Sequence, residues 1–111
     1  MILKCRKIKG IDKNVCTCEQ KIAYNYAFAW ADTYKRRVKN LISAIDKSIV
    51  FQDIINFIIK DIRTKEEMKK YNIDAIIISF RTGFLSYCEN PFIATDYSKI
   101  GEVFNIPYDI K

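Results

Sequence analysis

Thr17-Cys18-Glu19-Gln20-Lys21-Ile22-Ala23-Tyr24-Asn25-Tyr26-Ala27-Phe28-Ala29-Trp30 is the stretch that decides the fold. It begins with a capping-box signature: a Thr able to cap a helix, then a Gln three residues later able to reach back to it. Beyond Gln20 neither Gly nor Pro interrupts the chain before Ile45, which predicts one long helix from Cys18 to about Ile45. Trp30, with Ala23, Tyr26, Ala27, Tyr34, Leu41 and Ile45, falls in one arc at about 100° per residue, so these residues are expected to face a core.

Further helical periods follow. Ser48 to about Ile62 reads as a second helix, with Phe51, Ile55, Ile58, Ile59 and Ile62 on one face. Val50 and Phe57 lie to one side of it. Only Asp53, Asn56 and Lys60 form a polar stripe, so most of this helix is expected to be buried. Thr64-Lys65-Glu66-Glu67 reads as a second capping box, opening a short polar helix that stops at Asn72. Asp74 is the expected cap of a helix from Ala75 to Cys88, with Ile76, Ile77, Phe80, Phe84, Tyr87 and Cys88 inward and Asn90-Pro91 as its end. Gly83 marks either a close helix contact or a break. A short last helix, Tyr97 to Phe104, is expected behind a cap at Asp96.

The fold class expected is all-α, a compact bundle of four to five helices spanning residues 1–111 as a single domain. With 111 residues there is room for one core and no more. Half of the residues are hydrophobic and 14% aromatic, enough to fill that core. Residues 1–16 read as a basic extended arm, in which 2–9 alternate loosely enough for a short strand.

Composition excludes several kinds of chemistry. The chain has no His, so Ser-His-Asp and Cys-His machinery is impossible within it. Gly10, Gly83 and Gly101 are isolated and form no phosphate loop. Glu66-Glu67 read as solvated, and Asp53 and Asp61 form no recognisable acid–base pair. No catalytic residues, metal or cofactor are expected. Cys16-x-Cys18, with Cys5 and Cys88, has neither zinc-finger nor thioredoxin spacing, and all four cysteines are expected to be reduced. Neither a secretory leader nor a membrane span is expected, which makes the cytoplasm the default.

Charge points to a surface. Residues 1–47 hold 11 basic and 4 acidic side chains, while residues 48–111 hold 8 basic and 9 acidic. The whole excess behind the net +6 therefore lies in the first half. On the long helix Lys21, Phe28, Lys35 and Lys39 share one side, with Asp32 and Arg36 beside them and Tyr24 at the edge. The arm adds Lys4, Arg6, Lys7, Lys9 and Lys13. Cations with an interleaved aromatic suit phosphate contacts plus stacking or wedging against bases. The candidate nucleic-acid-binding residues are Arg6, Lys7, Lys9, Lys21, Phe28, Lys35, Arg36 and Lys39. The same pattern is what a solvated helix face would show. It also suits a module or inhibitor that binds an acidic protein, or a homodimer built on Phe28 and Tyr24. Arg37 falls within the apolar arc and needs a partner, for which Asp53 and Asp61 are the candidates.

Val15-Cys16-Thr17-Cys18-Glu19-Gln20-Lys21-Ile22-Ala23-Tyr24-Asn25, with Tyr34-Lys35-Arg36-Arg37 behind it, resembles small open reading frames of Gram-positive conjugative transposons and prophages. The resemblance covers the first third of the chain and carries no catalytic motif. It implies a cytoplasmic accessory protein of a mobile genetic element, of a kind that regulates, packages or processes DNA or blocks a host defence.

Overall fold

Thr17 and Gln20 form the reciprocal cap that the sequence announces. The Gln20 amide donates to Thr17 Oγ1 at 3.1 Å, and the Thr17 amide donates to Gln20 Oε1 at 2.7 Å. The computed structural model describes residues 17–91 and 97–105. Among them run helix α1 (Cys18–Val38), helix α2 (Ala44–Thr64), a 3₁₀ turn (Glu66–Met68), helix α3 (Ile73–Glu89) and helix α4 (Tyr97–Val103). The fold is all-α, with no strand among the described residues. The expected strand and arm, and the expected cap at Asp96, lie outside them.

The long helix is shorter than expected. It ends at Val38, and a separate helix begins at Ala44. Ser43 supplies the reason, because its hydroxyl accepts from the amides of Ile45 and Asp46 and caps α2. Leu41 N–H meanwhile bonds back to Val38 O, closing the turn. Ile45 consequently leaves the core and stands 73% exposed. The next boundary shifts as well. Thr64 is the last residue of α2, and its hydroxyl donates to Asp61 O rather than capping a new helix. The expected polar helix is only a 3₁₀ turn with no side-chain cap. Asn72, not Asp74, caps α3. It opens that helix instead of closing the element before it, because its Oδ1 accepts from Ala75 N–H.

The core lies where α1 packs on α3, with α2 laid against both. Ile22, Ala23, Ala27, Ala31 and Tyr34 come from α1, and Ile76, Phe80, Phe84 and Tyr87 from α3. Small residues on α1 let the α3 rings approach closely. Phe80 and Phe84 stack at 4.5 Å, with Tyr34 edge-on to Phe84 at 5.3 Å and Phe51 of α2 stacked on Phe80 at 6.0 Å. Val50, Ile54, Ile55, Ile58 and Ile62 are the buried residues of α2. Trp30 is not the centre of the core. It is half-buried and stacks on the exposed ring of Phe57 at 5.7 Å.

Helix α3 runs unbroken through Gly83, and the reason is a close contact. A Cβ there would overlap the Phe104 ring, at 2.6 Å from its Cγ. Phe104 is fully buried, wedged between Gly83, Tyr24 and Tyr87. Its carbonyl accepts from the Ser79 hydroxyl at 2.6 Å, and Gln20 Nε2 donates to Gly101 O at 3.4 Å. These bonds hold α4 against α1 and α3. Every buried side-chain polar atom among the described residues has a partner.

The expectation of reduced cysteines is overturned at Cys18, which is disulfide-bonded. Cys88 is free and buried, and burial pushes its thiol up to about 11, so it stays protonated and inert.

Candidate nucleic-acid interface

The last turn of α1 carries Lys35, Arg36 and Arg37, and Lys39 caps it. Cations belong there on elementary grounds, because the carbonyl end of a helix carries partial negative charge. Lys35, Arg36 and Lys39 are all exposed. Lys35 lies 4.0 Å from Asp32, a loose pair, and Arg36 donates to Thr33 Oγ1 at 3.3 Å. Neither contact takes the cation out of reach of a phosphate.

Arg37 stands apart from these three. It turns to α2 and pairs with Asp53 at 3.2 Å, one of the two partners expected for it. Its side chain remains 43% exposed, so it is a surface tie between helices and not a buried charge.

Phe28 is 70% exposed two turns before Lys35, and Lys21 is half-buried two turns earlier still. Lys21, Phe28, Lys35 and Lys39 do share one side of α1, within about 40°. Only the three cations at its C-terminal end form a cluster, because Asp32 sits between them and Phe28. Tyr24 does not stand beside Phe28. It packs edge-on against Tyr87 and Phe104 at 5.5 and 5.9 Å, so the paired aromatic surface expected of a homodimer is absent. Arg6, Lys7 and Lys9 lie outside the described residues.

Sequence reading missed the apolar neighbour of this cluster. Ile42 is 95% exposed in the turn after Lys39, and Ile45 and Ile49 follow it into solvent on α2. The signal was Ser43-Ala44-Ile45-Asp46, a Ser cap with an acid three residues on, hidden inside what reads as one long helix.

Two further features bear on chemistry. No group of three or more His, Cys, Asp or Glu side chains among the described residues could hold a metal. No described helix is long and apolar enough to cross a membrane. The most perturbed carboxylate, Asp61, is structural. The Tyr26 hydroxyl donates to it at 2.6 Å and Lys65 pairs with it at 3.0 Å, and these hold its pKa below the ordinary 3.8. Burial, together with the same carboxylate, raises the Tyr26 phenol. A lowered acid pKa stabilises the fold above the unfolded-state value and loses that contribution as pH falls through the folded value. Asp61→Asn should therefore lower the urea midpoint near neutrality, with the gap to wild type closing from about pH 4 downward. A gap independent of pH would show that the charge of Asp61 contributes nothing.

Comparison with protein-family models, with curated proteins and with solved structures returns no match to this chain.

Proposed function

We propose that this chain is a small, non-catalytic nucleic-acid-binding accessory protein of a mobile genetic element, acting on double-stranded DNA. One observation carries the reading: Lys35, Arg36 and Lys39 stand together and exposed on the end of α1. Such a cluster neutralises backbone phosphates and gains affinity by releasing counterions. It reads no sequence, and the described residues offer no obvious reader of base edges. Phe28, exposed on the same side, is the residue placed to stack or wedge. The basic arm, Arg6, Lys7 and Lys9 included, would extend the contact along the backbone. The mobile-element assignment rests on the resemblance of residues 15–25 and 34–37 alone. A cytoplasmic location belongs to the same reading, and it requires the Cys18 disulfide to open in a reducing compartment.

A salt series with a random-sequence duplex tests it. Wild type should bind with a steep log–log dependence. Lys35→Ala, Arg36→Ala and Lys39→Ala together should flatten the slope by about 2–3, at about 0.9 for each phosphate no longer neutralised. Weak wild-type binding at low salt, or a slope unchanged in the triple variant, overturns the reading. A second reading, a module for an acidic protein partner, is favoured by the exposed Ile42 in the turn after Lys39 and the exposed Ile45 and Ile49 at the start of α2.

A further inference from the structure

Helix α2 has an outward face that the rest of the fold covers only in part: Arg81 of α3 donates to Gln52 Oε1 at 3.1 Å and Ile59 packs against the core, while Ile45 and Ile49 stand in solvent. Ile45, Ile49, Gln52, Asn56, Ile59 and Arg63 recur at alternating spacings of four and three, the heptad seam of paired helices. They fall within about 80° of one another on the side turned away from Val50, Ile54 and Ile58. Ile59 is half-buried and the other five are exposed. The apolar half is more exposed than folding needs, with Ile45 at 73% and Ile49 at 55%.

We infer that this face is covered by the same face of a second copy, with the two α2 helices antiparallel. The sequence of the seam is complementary to its own reverse. A two-fold axis beside Ile54 sets Ile49 on the second copy's Ile59 and Gln52 on the second copy's Asn56. Ile45 then lies beside the aliphatic stem of Arg63. Within one chain Gln52 Nε2 donates to Asn56 Oδ1 at 3.1 Å and Gln52 Oε1 accepts from Arg81 at 3.1 Å, which leaves the Asn56 amide N–H groups and one Gln52 N–H to donate to the opposing pair.

Charge agrees with this direction. Asp46, Asp53 and Lys60 flank one side of the seam at intervals of seven residues. Antiparallel pairing brings Asp46 to the second copy's Lys60 on both sides of the axis. Neither has an ion-pair partner among the described residues. Asp53, which meets its own copy near the axis, is neutralised by Arg37 at 3.2 Å. A parallel pair would instead set Asp53 and Lys60 across from the second copy's Ser48 and Ile55, with no opposite charge to meet. The seam is only about 27 Å long, so the dimer is expected to be weak, with a dissociation constant on the order of 10 μM.

Sedimentation equilibrium of the full chain from about 1 μM to about 1 mM decides it. Wild type should pass from monomer to dimer. Ile49→Arg, at a position already in solvent, should remain monomeric with unchanged helix content. Asp46→Lys and Lys60→Asp should each weaken the dimer about tenfold, and the two together should restore it. Wild type monomeric throughout overturns the inference and leaves the stripe to a different polypeptide. A dimer indifferent to Ile49→Arg places self-association on another surface, and failure of the charge swap to rescue overturns the antiparallel arrangement. Each result is independent of whether the basic turn binds DNA.

Discussion

Phe84→Ala should cost about 3–5 kcal/mol of folding free energy. Phe84 is fully buried and sits at the meeting of three rings, Tyr34, Phe51 and Phe80 at 5.3, 5.7 and 4.5 Å. Truncation removes the transfer energy of the ring and leaves a cavity whose walls belong to three different helices. Those walls cannot close in without shifting a helix. Total stabilities of small domains are only about 5–15 kcal/mol, so this one change should consume much of the margin. For a chain of this size the melting temperature should fall by more than about 10 °C, read by far-UV circular dichroism. Phe84→Leu should cost much less, because it keeps most of the volume. A loss below about 1 kcal/mol for the alanine variant would mean the ring cluster is not the centre of stability.

The contact of Gly83 with Phe104 should reverse the sign of a substitution. Phe104→Ala alone should cost about 3–5 kcal/mol, because a fully buried ring is removed. Gly83→Ala alone drives a methyl group into that ring, and the ring cannot retreat past Tyr24 and Tyr87. The overpacking should outweigh the gain in helix propensity, for a net loss of about 1–3 kcal/mol. With Phe104 already reduced to Ala the clash is gone. Gly83→Ala should then stabilise the protein by up to about 1 kcal/mol, the ordinary preference of a helix for Ala over Gly. Urea unfolding of the four proteins in the cycle measures both signs. Gly83→Ala stabilising the wild-type background as well would show that α4 is not seated on α3 as described.

The helical class was legible because the signals that carry it are local. Thr17 and Gln20 sit three residues apart, and the inward face of α3 repeats at a clear helical period, so both could be read without knowing what packs against them. The break at Lys39–Ser43 was not legible in the same way. No Gly or Pro marks it, and Leu41 and Ile45 continue the apolar periodicity of Trp30 and Tyr34 by chance of spacing. Only the Ser43 cap, a weak signal inside a strong pattern, distinguishes two helices from one. Asn72 failed for a related reason: Asn serves both as a helix stop and as a helix start, and its neighbours decide which. The basic turn was legible from charge and spacing. Its apolar neighbours were not, because Ile residues are expected inside. Their exposure follows from how α2 is rotated against α1 and α3, which is a tertiary fact.

The order of helices in space differs from their order along the chain. Helix α1 leans mainly on α3, and α2, which comes between them in sequence, joins from the side. The central contact can form only after the chain from Val38 to Ile73 has looped back on itself. Closing a loop of that length costs about 3 kcal/mol of chain entropy before any ring is stacked. A bundle whose consecutive helices pack as hairpins meets no such early cost. This chain should accordingly refold more slowly than an up-and-down bundle of equal length, as stopped-flow mixing would show. The encounter of α1 with α3 should then set the rate, with α2 closing over a pair already made.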